Sequence, residues 1–278
     1  MSESEVSTKL DLTSLEARAK QCRRLIVEMV HKAGAGHPGG SLSAIDLIVG
    51  LYGTQMRIRV DEPDWPDRDR FIMSKGHASP AVYSILFEIG YLSEDDIMGF
   101  RSMGSVCQGH VDMKWTEGVD FSAGSLGMGL SFGLGCALAA KMDGSERAIW
   151  VMLGDGEVQE GEVWEAAMAA EFHSASNLKV IIDRNGIQND DFVSVQMEVG
   201  DIASKLASFG WEVLEIDGHS MTDIVQALEW AVSIDDGPCA IVAKTVKGKG
   251  VSFMEGNPAF HGKAPDDDEL RIALEELS

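Results

Sequence analysis

Positive charge is scarce in this sequence of 278 residues, which has 23 Lys and Arg residues against 45 Asp and Glu residues. The formal net charge of −22 at pH 7 would repel the phosphates of nucleic acids and the anionic surface of a membrane. We therefore expect neither nucleic acid nor membrane as a partner.

Cysteine is also sparse, and long apolar runs are missing. The four cysteines form no CxxC pair and no spacing typical of metal sites, which predicts buried free thiols. The longest apolar run, residues 126–140, contains several glycines and is too short to span a bilayer. Residues 1–10 are polar and have no signal-peptide pattern, so a cytoplasmic protein is expected.

Strand-like and helix-like segments alternate without a linker-like stretch. This alternation predicts one α/β domain over residues 1–278, built on a doubly wound, mostly parallel sheet flanked by helices. Within it, residues 1–12 could be a disordered arm. The acidic residues 264–278 predict a capped helix or a contact with another subunit.

Hydrophobic periodicity places the individual elements. Thr13 and Glu16 predict a capping box that opens an amphipathic helix ending near Gly34. Gly133 and Gly135 predict tight packing within a later helix rich in Gly and Ala. Strands are predicted at 68–73, 147–153, 178–183, 211–216 and 239–245, and further helices at 43–52, 79–90, 161–173, 202–209 and 221–232.

The sequence Gly154-Asp155-Gly156 follows one apolar run, and Asn185 follows the next. A strand, helix, strand unit makes its two strands parallel, so both positions lie at the carboxyl edge of one sheet. The Asp155 carboxylate, the Asn185 carboxamide and the backbone carbonyl of Ile187 can then converge. Three oxygen donors favour Mg²⁺ or Ca²⁺ over zinc, and Mg²⁺ usually completes its shell with phosphate oxygens and water.

The loop after Asp155 is strongly acidic. Residues 155–165 contain five carboxylates and no Lys or Arg. A phosphate here would meet a repulsion of about 4 kcal/mol for each unit pair at 4 Å and an effective dielectric of about 20, so a metal must mediate its binding. Glycine amides, notably that of Gly156, could donate further hydrogen bonds.

Two other interpretations of this segment stay open from the residues alone. The two glycines could begin a dinucleotide-binding fingerprint, although Gln159 stands where the third glycine belongs. The segment could also be an acidic turn between a strand and a helix, since acids favour first turns.

Several histidines lie in glycine-rich turns, namely His37, His77 and His110, and His261 follows a glycine loop. An imidazole in such a turn can titrate near neutral pH, although a single one is more often structural. The small residues at 124–127 would let a flat ring lie against the backbone. The lysines at 244, 247 and 249 are equally compatible with a solvated loop and with a site.

Together these motifs resemble the transketolase family of thiamine diphosphate-dependent enzymes over nearly the whole chain. The sequence has, in the order of that family, GHPGG at 36–40, RDRFIMSKGHA at 68–78, GH at 109–110, SAGSLGMGL at 122–130, GDG at 154–156 with Asn185 after 28 intervening residues, and FHG at 260–262. The family pattern often ends in paired Asn, whereas Arg184 precedes Asn185 here.

The resemblance implies roles for individual residues. Mg²⁺, which Ca²⁺ or Mn²⁺ could replace, would be bound by Asp155, Asn185 and Ile187. Catalytic roles at the cofactor, the sugar and its hydroxyl protons would fall to His37, His77, His110 and His261. Contacts with thiamine diphosphate are implied for His77, Gly124, Ser125, Leu126, Gly154, Asp155, Gly156, Glu160, Asn185 and His261. Glu160 matches an acid that lies between paired active sites.

The resemblance also implies an activity and a partner. Transketolases transfer a two-carbon ketol unit from a ketose, commonly phosphorylated, to an aldose. The pyrimidine-binding region, with the glutamate that activates the cofactor and the residues that hold sugar phosphate, has no counterpart in this sequence. We therefore expect the N-terminal subunit of a split transketolase, working as a heterotetramer with a separate C-terminal subunit.

Two other functions remain as alternatives. The α subunit of a 2-oxoacid dehydrogenase also carries GDG, but it lacks the GHPGG and SKGHA motifs. A non-catalytic module that binds a metal and a diphosphate is the second alternative.

Overall fold

The computed structural model describes residues 10–189 and 191–278. Five parallel strands form the main sheet in the order β1-β2-β3-β7-β6, and β4 and β5 form a small antiparallel ribbon. The strands are β1 Arg70–Met73, β2 Ile149–Gly154, β3 Leu178–Arg184, β4 Ile187–Gln188, β5 Asp191–Phe192, β6 Glu212–Asp217 and β7 Cys239–Lys244. The five predicted strands are therefore confirmed, with small shifts at their ends.

The described residues contain ten α-helices. They are α1 Leu12–Ala33, α2 Pro38–Thr54, α3 Ser79–Glu88, α4 Glu94–Met98, α5 Met128–Asp143, α6 Gly161–Phe172, α7 Val193–Gln196, α8 Ile202–Ser208, α9 Met221–Ser233 and α10 Asp267–Glu276. None of them, over that part of the chain, is both long and apolar enough to cross a bilayer.

Both faces of the sheet are covered, because alternate residues of each buried strand point to opposite sides. Trp150 and Met152 of β2 pack in a core with α1, α2, α3 and α9. Val151 and Leu153 pack in a second core with α5, α6 and α8. The predicted doubly wound arrangement is confirmed.

The start of α1 differs from the prediction. Asp11 is the N-cap and accepts a hydrogen bond from the Ser14 amide, so the predicted capping box at Thr13 and Glu16 is wrong. An aspartate caps as well as a threonine, and periodicity alone does not choose between neighbouring caps. Residues 1–9 of the predicted arm lie outside the described residues, whereas Leu12 already belongs to the helix.

The two glycines singled out in α5 behave differently. A Cβ at Gly133 would lie 2.5 Å from Val151 Cγ2, so close packing onto β2 is confirmed there. Gly135 has no atom within 4 Å of such a Cβ and is exposed, so that prediction is wrong. The two residues are two positions apart and therefore face different sides of the helix.

Three of the four cysteines, Cys22, Cys107 and Cys239, are buried free thiols as predicted, whereas the free thiol of Cys136 is only half-buried. The C-terminal residues form α10, which begins with a capping box at Asp266 and packs on α1. The carboxyl ends of β2, β3 and β7 lie side by side, as the predicted strand, helix, strand unit requires.

Candidate active site

A cavity of about 310 Å³ lies at the carboxyl ends of these strands. Every predicted site residue lines it, except Ser125, which is exposed. Its lining also includes residues that had no predicted role, namely Gly40, Lys75, Glu157, Gln159, Gln188, Asn189 and Lys247. A larger groove of about 950 Å³ beside the edge strand β6 contains none of the predicted site residues.

Asp155 is a buried carboxylate, 4% exposed, directly after β2. Its Oδ2 accepts a hydrogen bond from the Gly186 amide at 2.7 Å, and its Oδ1 accepts one from Gly156 at 2.9 Å. Burial raises the pKa of Asp155 to about 6, with the Asp183 charge adding to the effect. In the described part of the chain no Lys or Arg forms an ion pair with it, so a bound cation would stabilise its charged form.

Asn185 follows β3, and its orientation is fixed by its hydrogen bonds. Its Nδ2 donates to Asp183 Oδ2 at 3.2 Å and to Ser43 Oγ at 3.3 Å. The oxygen Oδ1 is thereby turned the other way, where it accepts from the Ile187 amide at 3.1 Å. A carboxamide oxygen is thus presented on the side of the following turn.

These oxygens fit a hard divalent cation. The Ile187 carbonyl accepts from Lys247 Nζ at 3.0 Å and keeps a second lone pair. No group of three His, Cys, Asp or Glu side chains able to hold a metal exists in residues 10–189 and 191–278. One carboxylate, one carboxamide and one carbonyl suit Mg²⁺ with further oxygens from a ligand, and they do not suit zinc.

Asp183 is the centre of a second buried network, which no sequence motif had indicated. It is fully buried and accepts hydrogen bonds from Lys75, Ser43, Thr245 and Asn185. Burial alone would raise the pKa of Asp183, but the Lys75 charge and these hydrogen bonds hold it below its usual value. The network connects α2 with residues that lie in or just after β1, β3 and β7, next to the cavity that Lys75 lines.

Glu157 organises the turn that precedes α5. This buried carboxylate accepts from the amides of Gly127 at 2.9 Å and Gly154 at 3.0 Å, and from the Ser74 hydroxyl. Burial raises the pKa of Glu157. One side chain therefore fixes the turn at 124–127 against the end of β2, and only small residues fit where Gly76 meets Ala123.

The four predicted histidines come together on one side of the cavity. The ring centroid of His37 lies 5.1 Å from that of His77, 6.0 Å from that of His110 and 5.3 Å from that of His261. They arrive from four separate chain segments. His37 is the N-cap residue of α2, and its buried Nδ1 has no hydrogen-bond partner among residues 10–189 and 191–278. An unpaired buried nitrogen that borders a cavity is suited to a ligand.

Burial lowers the pKa of all four rings. The pKa of His37 is lowered to about 4 by burial, His110, Arg101 and Lys247, and that of His261 to about 3 by burial and Lys247. The pKa of His77 is lowered well below its usual value and that of His110 is lowered too. The imidazoles are therefore neutral at pH 7 and can accept protons.

Lys247 is a site residue that the sequence left undecided. It is 3% exposed, and its Nζ donates to Ile187 O and, at 2.6 Å, to His261 Nδ1. Burial and the nearby Lys75 lower the pKa of Lys247 to about 8. The Lys247 ammonium lies between the predicted metal ligands and the histidines, where the negative charge of a bound anion would balance it.

The predicted residues at the rim are less enclosed. Glu160 lines the cavity but is exposed. Next to it, Gln159 and Gln188 pair through their side-chain amides and connect the β4–β5 ribbon to the start of α6. A Cβ at Gly156 would lie 2.7 Å from Gln188 Cβ, so glycine is needed for this approach.

Two of the missed residues had a sequence signal. An apolar strand of a parallel sheet is buried on both faces. A carboxylate at its end, such as that of Asp183, is therefore removed from water and needs a cation. Lys75 lies beside His77 in a motif that was already noted. Lys247 had no comparable signal, because a lysine in a glycine loop is usually solvated.

Comparisons of this chain with known proteins agree with the geometry of the site. Residues 15–277 match the family described as transketolase, thiamine diphosphate binding domain. The chain is 38% identical over 269 residues to one subunit of the apulose-4-phosphate transketolase of Phocaeicola vulgatus, covering 97% of this chain and 95% of that protein. It is 38% identical over 263 residues to a 6-deoxy-6-sulfo-D-fructose transketolase subunit of a Clostridium species, covering 95% and 96%.

A solved structure gives the same result for the fold. The crystal structure of transketolase from Campylobacter jejuni matches with a TM-score of 0.91 and 35% identity. The match covers 96% of this chain but only 43% of that longer one. The chain is thus similar to less than half of that transketolase and to nearly the full length of the two subunits.

Proposed function

This chain belongs to the transketolase family as a thiamine diphosphate-binding domain, and from that membership we propose that it is the diphosphate-binding subunit of a two-subunit transketolase. One observation carries the proposal. A single cavity brings the oxygen donors Asp155, Asn185 and Ile187 together with four histidines, and these are the two halves that a metal-bound diphosphate and a reacting sugar need.

We assign Asp155, Asn185 and the Ile187 carbonyl to a divalent cation, with Mg²⁺ as the expected ion and Ca²⁺ or Mn²⁺ as substitutes. The Lys247 ammonium would bind the diphosphate, Gly154 and Gly156 would let it approach the backbone closely, and the turn at 124–126 would pack on the cofactor rings. When bound, thiamine diphosphate supplies the electron sink that lets a carbon–carbon bond beside a carbonyl break and re-form.

The histidines would move the hydroxyl protons of the sugars. Their lowered pKa values make them neutral acceptors in the free chain, and an anion bound in the cavity raises those values towards neutrality. General acid–base catalysis is most efficient when the pKa lies near the working pH. Anion binding would therefore tune His37 and His261 for proton transfer.

The partner proposed is a separate C-terminal subunit that carries the pyrimidine-binding domain. It would bring the glutamate that activates the cofactor, and two copies of each subunit would form a heterotetramer in the cytoplasm. The two relatives of matching length, which are named as subunits, support the existence of a separate partner subunit. Glu160 at the exposed rim is proposed to lie where paired active sites meet.

The substrates proposed are a ketose and an aldose that carry an anionic group at the end remote from the carbonyl. One relative is named for a sugar phosphate and the other for a sulfosugar, so the charge is the shared feature. The alternative of a 2-oxoacid dehydrogenase α subunit is not supported, because residues 15–277 match the transketolase domain.

Reconstitution tests the function. The chain is combined with the product of an adjacent reading frame, Mg²⁺ and thiamine diphosphate, and offered phosphorylated and sulfonated ketoses with a set of aldoses. We expect two-carbon transfer only from the pair. Full transfer by the chain alone contradicts the two-subunit proposal, and calorimetric cofactor binding without any transfer by the pair favours a non-catalytic module.

A further inference from the structure

The loop after β7 places Lys247 in the cavity although its neighbours face away from it. The Lys247 carbonyl accepts from the Gly256 amide at 2.9 Å, and the Gly248 amide donates to Gly39 O at 3.0 Å. These bonds hold the loop after Lys247. A different set of side chains, outside the cavity, holds its two flanks.

His219 and Arg23 form those outer anchors. The Val246 amide donates to His219 Nε2 at 2.8 Å, and Arg23 Nε donates to Lys249 O at 3.2 Å. Asp46 on α2 joins the two anchors, because its Oδ2 lies 2.7 Å from His219 Nδ1 and 2.5 Å from Arg23 Nη2. Val246 and Lys249 bracket Lys247 on either side.

The hydrogen bonds assign the tautomer of His219. A backbone N–H can only donate, so Nε2 must carry a lone pair, and the ring proton resides on Nδ1, where it is donated to Asp46. Asp46 is 6% exposed. Although burial raises its pKa, the bonds from His219 and Arg23 hold the pKa of Asp46 below its usual value, so it remains an acceptor.

We propose that His219, oriented by Asp46, is a positioning residue that holds the Val246 amide and so keeps the Lys247 ammonium at Ile187 and His261. His219 lies in the turn between β6 and α9 and does not line the cavity. It acts through the loop and touches neither cofactor nor substrate. The role of Lys247 towards the cofactor rests on the proposed function, whereas its placement by His219 does not.

The first test measures the placement without cofactor. The full chain is treated with an amine-acetylating reagent, and the rate at Lys247 is followed by mass spectrometry, with the exposed Lys114, which lies outside this loop, as an internal reference. The variant His219→Phe removes the acceptor of one part-buried hydrogen bond and should raise the Lys247 rate by about tenfold, which corresponds to about 1.4 kcal/mol in the balance between the held and the released loop. His219→Gln keeps an acceptor oxygen near the Nε2 position and should restore protection to within about twofold.

A matched control and a wild-type measurement complete this test. His173→Phe changes an exposed histidine at the end of α6 and should leave the Lys247 rate unchanged. If His219→Phe does not fold, long-range proton–nitrogen spectra of the wild-type chain still decide, since they should give His219 with its proton on Nδ1. Equal Lys247 rates in wild type and His219→Phe, equal rates in the Phe and Gln variants, or a proton on Nε2 would overturn the proposal.

The second test uses cofactor binding with Mg²⁺ and the partner subunit. His219→Phe should weaken thiamine diphosphate binding about tenfold in the wild-type background and have no added effect in a Lys247→Met background, because the two residues act in series. Additive losses in the double variant would contradict the proposed route. Absence of any cofactor binding by the wild type would instead count against the proposed function and leave the acetylation result standing.

Discussion

Asp155 and Asp183 end neighbouring parallel strands and are both buried, but their surroundings are opposite. Asp183 accepts from a lysine, two hydroxyls and a carboxamide of its own chain, and its pKa is lowered. Asp155 accepts from two backbone amides, and its pKa is raised to about 6. The chain satisfies one carboxylate internally and leaves the charge of the other to be balanced by a ligand.

This contrast separates a structural role from a binding role. A carboxylate whose cation comes from the chain contributes to the stability of the fold before any ligand arrives. A buried carboxylate without such a cation lowers the free energy of unfolding of the free chain, and a bound cation raises it again. Substitutions at the two positions should therefore affect different measurements.

The largest effect on stability is expected for Asp183→Asn. The substitution leaves the Lys75 ammonium, 3% exposed, without its anionic partner, and breaking a buried pair in this way costs about 3–5 kcal/mol. Urea unfolding of the free chain measures it. Asp143→Asn is the matched control, because Asp143 is exposed and its pair with Arg147 should contribute less than about 1 kcal/mol. Equal losses for the two variants would remove the distinction.

Asp155→Asn should instead abolish metal-dependent cofactor binding. A unit charge pair at 4 Å and an effective dielectric of about 20 contributes about 4 kcal/mol, so we expect a loss of more than about 100-fold in affinity for thiamine diphosphate with Mg²⁺. The free energy of unfolding of the free chain should change by less than about 1 kcal/mol, since relief of the buried charge offsets the loss of one of the two hydrogen bonds that the carboxylate accepts. Calorimetry and urea unfolding of the same sample measure both. A large loss of stability with intact binding would reverse the assignment.

Asp155 and the histidines contribute with opposite signs to the pH dependence of stability. The folded-state pKa values of His37 and His261, about 4 and about 3, lie below the ordinary 6.5, so the unfolded chain binds more protons as the pH falls, and this part of the stability is lost between about pH 6.5 and 3. Asp155 has a folded pKa above its ordinary 3.8, so over about pH 6 to 4 it contributes in the opposite direction.

The thermal midpoint of the free chain should therefore fall from pH 7.5 to pH 5, because the four histidines with lowered pKa values outweigh the two carboxyls with raised pKa values, Asp155 and Glu157. Asp155→Asn removes one of the two opposing contributions and should make that fall steeper. Differential scanning calorimetry at the two pH values measures the change. A shallower fall in the variant would mean that Asp155 is already ion-paired in the free chain.

A smaller loss of stability than that of Asp183→Asn is expected for Ser43→Ala. Asp183 keeps Lys75, Thr245 and Asn185 as donors, so the loss of one hydrogen bond to a charged group should cost about 1.5–3 kcal/mol, less than Asp183→Asn. Urea unfolding again measures this cost. Ser131→Ala, in the first turn of α5, is the control and should leave the free energy of unfolding nearly unchanged. A cost equal to that of Asp183→Asn would show that Ser43, rather than Lys75, dominates the network.

Much of the fold was predictable because it depends on short-range patterns. Apolar runs located all five strands of the main sheet, and the spacing from Gly154 to Asn185 located two predicted metal ligands at one edge. The helix cap at Asp11 was missed, because Asp, Ser and Thr cap almost equally well. The packing at Gly135 was missed, because sequence does not reveal which side of a helix meets the sheet.

The sequence by itself determined the chemical identity of the site: glycine turns with histidines, and a carboxylate and a carboxamide after consecutive strands. The tertiary structure alone decided how these groups are charged and held. Whether Asp155 or Asp183 meets a lysine, and whether Lys247 faces solvent or the cavity, depends on contacts between segments far apart in the chain. Electrostatic energies depend on distance and burial, and neither can be read from residue order.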